Sequence, residues 1–365
     1  MVSKSKSGML FGGQAFLLIA VGLVVLTLAS APFAYQNFGS AYYFLGHQAL
    51  YGLLPGFFLF LFFWKINYLK LQKFYKIIFI LCLALLGLTL IPGIGTEINS
   101  ARSWLALGGF SFQPSEFAKL GLIIFLAGFL AKNEEAVSQK FTSGFLRFFL
   151  FVFAVCGLVV LQPDMGTAML LGIIGATMYF LANGKILYLG VLGILGGIGT
   201  AILIKIAPYR TARLTSFLNP DFDPQGIGYH INQALIAIGS GGFWGLGLGN
   251  SRQKFQYVPE VIGDSIFAIM GEELGFLLAL AFIICFFVFL WQGFKIASAT
   301  ENKFGYYIVS GIVIWFGWQM FLNIGSMIGI MPLTGLTLPF ISYGGTSLAA
   351  SMAAVGLVLN IARRS

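Results

Sequence analysis

The chain has 365 residues, of which 58% are hydrophobic, 16% aromatic and only 9% charged, and its mean hydropathy is +0.91. A soluble domain carries about 25% charged residues, so this chain cannot clothe itself in water-compatible surface and an ordinary soluble enzyme is excluded. The formal charge of +9 is read first against a membrane, and once the basic residues are placed by topology no nucleic-acid partner is needed to explain it.

A hydrocarbon core is crossed by about 20 residues of helix. Apolar runs of that kind predict ten membrane helices, at 11–34, 47–64, 77–92, 113–131, 148–162, 165–182, 186–206, 266–292, 305–331 and 344–361. The fold class expected is therefore an all-α polytopic membrane protein, with residues 1–365 as one integral membrane domain. The short alternating segments of a membrane barrel are missing. The first run, with Lys4 and Lys6 before it and Ala29-Ser30-Ala31 after it, imitates a cleaved signal peptide; followed by nine further spans, it reads as an uncleaved first helix.

Lysine and arginine collect on the cytoplasmic side of membrane proteins. An N-in, C-in arrangement puts Lys4, Lys6, Lys65, Lys70, Lys73, Lys76, Lys132, Lys140, Arg147, Lys185, Lys295, Lys303, Arg363 and Arg364 inside, fourteen of the 21 basic residues. Arg102, Lys205, Arg210, Arg213, Arg252 and Lys254 fall outside, and Lys119 lies within a span. Cys82, Cys156 and Cys285 share no disulfide or metal-ligand spacing, and His47 and His230 stand alone, so no metal site is assigned.

Two outer segments are long: 93–112, and 207–265 between the seventh and eighth helices. The second carries apolar anchors (Phe217, Tyr229, Phe243, Trp244, Phe255, Tyr257) and is expected to fold back onto the outer face with short helices. Its glycine-rich stretch GSGGFWGLGLGNS lacks the strand and the lysine of a nucleotide loop; its glycines suit tight turns and close backbone approach to a ligand or a neighbouring helix. Arg210, Arg213, Arg252 and Lys254 around it form either an anion site or a set of lipid-headgroup contacts.

Two spans open alike, with QPSEFAKL at 113 and QPDMGTAM at 162. Proline suits a first helical turn and an acidic residue suits the positive end of the helix dipole, which accounts for Asp164. Glu116 and Lys119 share one face of a span, where they neutralise each other and point to a polar cavity. Four of the twelve acidic residues, Glu260, Asp264, Glu272 and Glu273, fall within fourteen positions at the start of the eighth span. Glu272 and Glu273 project about 100° apart and are expected to serve different neighbours, at least one of them anchoring the loop above or another helix. Asp264 is either the N-cap of that helix or a reactive carboxylate at the membrane surface.

Five ordered stretches then carry a resemblance: NSARSWLALGGFSFQPSEFAKL, QPDMGTAMLL, PYRTARLTSFLNPDFDPQGIGYHINQALIAIGSGG, VPEVIGDSIFAIMGEELG and PLTGLTLPFISYGGTSL. In these the chain resembles the SEDS family (shape, elongation, division and sporulation) of polytopic peptidoglycan polymerases, and GLGNSRQKFQYVPE looks like its division branch rather than its elongation branch. The resemblance implies ten helices, a large outer loop between helices seven and eight, and glycosyl transfer. In that reaction lipid II units are joined to a growing glycan strand with release of undecaprenyl diphosphate. It implies a multi-pass protein of the bacterial cytoplasmic membrane at the division septum. The implied partners are a class B penicillin-binding protein transpeptidase, other division proteins and membrane lipids. Asp264 matches the aspartate that the family implies in catalysis. The family usually shows His-Thr before it, whereas this chain has Ile262-Gly263, which removes a hydrogen-bonding neighbour.

For such a transfer Asp264 is the candidate base. Arg102, Arg210, Arg213, Arg252 and Lys254 are candidates for the diphosphate, Glu116 and Lys119 for the cavity lining, and Glu260 and Ser342 for further substrate contacts. A divalent cation, Mg or Mn, would help to screen the diphosphate, but no recognisable ligand spacing exists for it. The rival readings are a lipid II flippase, which needs alternating access but no outward base, and a structural scaffold, which would tolerate loss of Asp264.

Overall fold

A chain this apolar satisfies its backbone within helices, because a lipid-exposed amide without a partner costs several kcal/mol. The computed structural model describes residues 4–98, 101–107, 110–206, 208–219, 223, 226–255 and 257–364. In chain order the helices are α1 (Lys4–Phe38), α2 (Tyr43–Gln48), α3 (Leu54–Lys65), α4 (Tyr68–Thr89), α5 (Pro114–Gln139), α6 (Arg147–Leu161), α7 (Met165–Leu181) and α8 (Ile186–Ile206). They continue with α9 (Pro208–Leu218), α10 (Ile227–Gly241), α11 (Ile266–Ala299), α12 (Lys303–Met327) and α13 (Gly345–Arg364). A π-helical turn, Ala49–Leu53, joins α2 to α3 so that Tyr43–Lys65 runs as one span, and another, Phe141–Leu146, leads into α6.

Among the described residues eight helices are long and apolar enough to cross a membrane, α2 and α3 counting as one. The segments Met165–Leu181 and Ile186–Ile202 are apolar but shorter. Of the ten predicted spans these are the sixth and seventh. The class is that of a polytopic, mostly helical membrane protein, with one departure from the all-α expectation. The first outer segment folds as a three-stranded antiparallel sheet, β1 (Gly95–Ile98), β2 (Ala101–Leu107) and β3 (Phe110–Phe112), in that order. Three short strands leave no alternation long enough to register against the flanking apolar runs.

Helices α5, α12 and α13 form the enclosed centre, buried along most of their length and packed on one another. Around them α3 lies on α13, α4 on α5, and α1 on both α11 and α13. These outer helices keep Phe, Leu and Ile on their far faces (Phe16, Phe58, Ile80, Phe153, Phe287 and others), as a lipid-facing surface requires.

The long 207–265 segment carries short helices, α9 and α10, as expected, and then runs deeper. Helix α11 is broken at Gly275 (φ 74°, ψ 179°), and such a break orphans carbonyls before it and amides after it. The glycine-rich segment fills both sets. The amides of Leu246 and Gly247 donate to the carbonyls of Glu272 and Glu273 (both 3.0 Å), while the amides of Phe276 and Leu277 donate to the carbonyls of Gly242 and Phe243 (2.9 and 3.3 Å). The two backbones lie so close that a Cβ on Gly245 would stand 2.3 Å from Glu273 O, and one on Gly275 would stand 2.2 Å from Gly245 N. Both glycines have positive φ. The glycines serve approach to a neighbouring helix, and the outer loop is thereby stitched into the middle of α11.

Candidate functional site

The four clustered carboxylates divide into two environments. Glu272 accepts from Ser251 Oγ, from Arg252 N (2.9 Å) and from Gln253 N (3.3 Å). Glu273 accepts from Lys254 Nζ (2.9 Å) and Ser251 N (3.3 Å), and Lys254 Nζ also donates to Gly249 O (2.6 Å). Both glutamates are buried and both hold the 251–254 turn. Successive projection by 100° led to different expected neighbours; the turn instead wraps across the end of the half-helix before Gly275 and meets both side chains.

Asp264 is buried immediately before α11. The N-cap position belongs to Ser265, whose side chain makes no capping bond, so the capping reading of Asp264 does not describe the fold. From α12, Asn323 Nδ2 donates to the Asp264 carbonyl (2.8 Å) and to Leu336 O (2.7 Å). Tyr343 N donates to Ile262 O (2.8 Å). The aspartate is thus pinned between α12 and the 336–343 loop.

Burial pushes the Asp264 carboxyl up to about 6, with the Arg213 charge and the Ser265 hydroxyl partly offsetting it. His230 of α10 lies with Nε2 at 2.6 Å from Ser265 Oγ and 3.9 Å from Asp264 Oδ1. Burial pushes this imidazole down to about 4; the Glu260 charge acts against that shift and Arg213 adds to it. At neutral pH the histidine is uncharged and the aspartate ionised.

A line of polar side chains runs from Asp264 down α12. Trp315, Gln319 and Asn323 recur every four residues and so share one face. Gln319 Nε2 donates to Thr337 O (2.8 Å), and its Oε1 accepts from Trp315 Nε1 (2.6 Å) and Lys119 Nζ (3.0 Å). Lys119 Nζ lies 2.8 Å from Glu116 Oε2 and 5.1 Å from the Trp315 ring centre. The expected Glu116–Lys119 pair is therefore formed and fully enclosed. Asp164 caps α7 through Thr167 N (3.0 Å) and meets Gln113 Nε2 (3.4 Å), which brings the two QP helix starts together beside that pair.

Among the described residues, the cations grouped in the sequence (Arg102, Arg213, Arg252 and Lys254) have separate surroundings. Arg213, on α9, is exposed and is the cation whose charge acts on Asp264. Lys254 is buried in its pair with Glu273, which removes it from the solvent-facing set. Arg252 is exposed with its amide held by Glu272. Eight residues separate Asp264 from Glu272, about 12 Å of helix, so the 251–254 turn sits well along α11 from the aspartate. Arg102 is half-buried on the sheet, 3.7 Å from Glu97. Arg210 lies in α9, its side chain outside the described residues.

Glu260 is exposed at a positive-φ turn (φ 50°), where its carbonyl accepts from Gly263 N (2.9 Å). Ser342 is buried and its Oγ accepts from Leu338 N (2.8 Å), closing a turn in the 338–343 loop. Among the described residues no three of His, Cys, Asp and Glu converge as a cation would require. His230, Ser265, Asn323 and Gln319 escaped the sequence reading. The every-four spacing of Trp315, Gln319 and Asn323 in an apolar span was a legible signal; the approach of His230, 34 positions from Asp264, was not.

The profile of the FtsW/RodA/SpoVE family, described as cell cycle proteins, matches residues 9–365. Stage V sporulation protein E of Bacillus subtilis (strain 168) is 41% identical over 352 residues, covering 96% of this chain and 95% of that protein. The protein named probable peptidoglycan glycosyltransferase FtsW in Nitrosococcus halophilus (strain Nc4) is 42% identical over 359 residues, covering 96% and 90%. A chain in the structure of a peptidoglycan synthase complex, concerned with coordination of polymerization and crosslinking, superposes with a TM-score of 0.79 at 29% identity, over 97% of this chain and 96% of that one. The rod shape determining protein RodA of Thermus thermophilus superposes with a TM-score of 0.71 at 28% identity, over 97% and 95%. With its ordered motifs, its broken helix α11 and its buried Asp264, the chain belongs to the FtsW/RodA/SpoVE family, the SEDS proteins.

Proposed function

We propose that the protein is a peptidoglycan glycosyltransferase that polymerises lipid II at the outer face of the bacterial cytoplasmic membrane. The observation that carries this reading is Asp264, a buried carboxylate at the start of α11, faced by Arg213 and seated at the head of the polar line that ends in Glu116–Lys119. A base works best with its pKa near the operating pH, and about 6 leaves Asp264 ionised yet basic at neutrality.

Joining an α-linked diphosphate donor through a β-1,4 bond inverts the anomeric centre in one displacement. The acceptor hydroxyl oxygen attacks the anomeric carbon, the bond to the undecaprenyl diphosphate oxygen breaks with its electron pair, and the hydroxyl proton passes to Asp264. Arg213 is the cation closest in effect to this point and suits charge developing on the diphosphate. Arg252 and Arg102, away from Asp264, are candidates to gather the anionic lipid, and Arg210 on α9 is a further candidate from the sequence. A divalent cation would arrive with the diphosphate, and no step here depends on it.

In this reading the chain has ten spans, with the shorter α7 and α8 included, and both termini face the cytoplasm. Cysteine labelling of a variant without native cysteines tests this. A membrane-impermeant reagent applied outside is expected to reach Tyr257→Cys and miss Lys70→Cys, and the reverse pattern would overturn the catalytic face. The division role rests on relatives named FtsW at 36–42% identity, beside a stage V sporulation protein at 41%. A class B penicillin-binding protein transpeptidase is the partner this implies, since a similar chain belongs to a peptidoglycan synthase complex that coordinates polymerization and crosslinking.

The direct test is polymerisation of purified lipid II by the parent and by Asp264→Asn, with and without the transpeptidase. Asparagine keeps the size of the side chain but cannot take the proton, so a loss of roughly 10²- to 10⁴-fold in rate is expected, with lipid II still bound. A folded Asp264→Asn protein that polymerises at the parent rate would show that Asp264 is not the base, whereas a parent protein that forms no glycan from lipid II would return the question to the flippase reading.

A further inference from the structure

Serine at a helix N-cap ordinarily turns its hydroxyl onto the amides of its own first turn. Ser265 does not. Its Oγ points away from α11 into a triangle formed by His230 Nε2 (2.6 Å), Pro259 O (2.8 Å) and Asp264 Oδ1 (3.3 Å). Ile262 and Gly263, which precede the aspartate, offer no hydrogen-bonding side chain. Beside the backbone amides of Asp264 and Ser265, the side-chain donor to Asp264 is the Ser265 hydroxyl, and a second helix reaches in to hold that hydroxyl.

We propose that Ser265 and His230 are positioning residues for the transfer: His230 fixes the Ser265 hydroxyl, and that hydroxyl orients the Asp264 carboxylate toward the incoming sugar. The inference rests on Asp264 being the base. With the proton of the neutral imidazole on Nε2, His230 donates to Ser265 Oγ, and the single serine proton is then shared between two acceptors. It turns to Asp264 Oδ1 while the carboxylate is charged and to Pro259 O once Asp264 has taken the proton of the sugar hydroxyl. The ionised base is held in one orientation, and its protonated form is released from that hold.

His230 is not the next proton carrier. Its nitrogen stands 3.9 Å from the carboxylate, and burial leaves it the weaker base of the two, about 4 against about 6. The charges facing the pair are Arg213 from α9 and Glu260 from the turn before α11; from α12 the neighbour is the uncharged Asn323.

The test is the pH profile of lipid II polymerisation for the purified parent, Ser265→Ala, His230→Ala and His230→Gln, with Asp264→Asn alongside and folding checked by thermal unfolding. Ser265→Ala is expected to keep KM for lipid II and to lower kcat about tenfold at neutral pH, as small misplacement of a reacting group does. Its acid limb should move to higher pH, because the donor that favours the charged carboxylate is gone. His230→Ala should move the limb the same way, and His230→Gln, which keeps a donor, should move it less. A folded Ser265→Ala with the parent kcat and an unmoved limb overturns the inference. So does a raised KM with an unmoved limb, which would make the pair a substrate contact. Should Ser265→Ala fail to fold, His230→Ala against His230→Gln decides, equal profiles being the overturning result. Activity of Asp264→Asn at the parent rate would sink the base itself, whereas an inactive Asp264→Asn with unmoved limbs sinks only the positioning pair.

Discussion

Asp264, just before α11, and the Glu272–Glu273 pair within it stand within ten residues of one another, and they are built in opposite ways. Each glutamate is saturated by donors from one turn: a hydroxyl and two amides for Glu272, an ammonium and an amide for Glu273. Asp264 has the Ser265 hydroxyl at 3.3 Å and the amides of Asp264 and Ser265 as donors, and burial still shifts it away from its charged form. A buried carboxylate surrounded by donors is structural, because its charge is already answered within the protein. One left partly unanswered is held ready for a proton. The sequence shows the cluster, and the partners that folding supplies separate its members: the 251–254 turn for the glutamates, and Ser265 with His230 and Arg213 for Asp264.

The contrast is broken most severely by removing one partner of an anchoring pair. Lys254→Met leaves Glu273 buried without its cation and is expected to destabilise the protein by about 3–5 kcal/mol. The double change Lys254→Met with Glu273→Gln should recover a large part of that loss in thermal unfolding. Lys119→Met is expected to act in the same way on Glu116, with the double change Glu116→Gln, Lys119→Met recovering stability more than polymerisation. A Lys254→Met protein as stable as the parent would show that the turn does not depend on the pair.

Asp264 should respond with the opposite sign. Its carboxyl rises from 3.8 to about 6 on folding, so its ionisation opposes folding. The penalty is absent below the unfolded value, grows as pH rises between about 4 and 6, and levels off above that, at on the order of 3 kcal/mol. Asp264→Asn is therefore expected to be more stable than the parent at neutral pH while inactive, with the advantage vanishing near pH 4. A variant that is destabilised at neutral pH would place Asp264 with the structural carboxylates.

Gly275→Ala probes the break that separates the two environments. It puts a Cβ against Gly245 N in a left-handed conformation, and a loss of about 1–3 kcal/mol is expected, with earlier proteolysis of the 242–254 segment. The smallest effect is expected for Thr337→Val, which removes the hydroxyl's contacts with Gln319 Nε2 (3.2 Å) and Ser347 Oγ (3.1 Å) but leaves the bond from Gln319 Nε2 to the Thr337 carbonyl. About 0.5–1.5 kcal/mol is the scale for one such bond, and a polymerisation rate close to the parent would show that the polar line does not need it.

Much of this molecule is legible in one dimension. Hydropathy alone places the strongly apolar spans and the long outer loop, since the need to satisfy a backbone in lipid acts on every residue of a span independently of its neighbours. Local chemistry likewise places Pro114 and Asp164 at helix starts and pairs Glu116 with Lys119 three residues on, all within one turn of helix. The three-stranded sheet at 95–112, the shared anchoring role of Glu272 and Glu273, and the withdrawal of Lys254 into an ion pair were not legible. Each depends on chain segments that meet only after folding. The surroundings of Asp264 are the clearest case: Arg213, His230 and Asn323 reach it from α9, α10 and α12. The sequence by itself determined which carboxylate to examine and which side chains were scarce enough to matter. Only the tertiary structure decided which of them touch, because burial and hydrogen bonding are set by distances between helices that no spacing along the chain encodes.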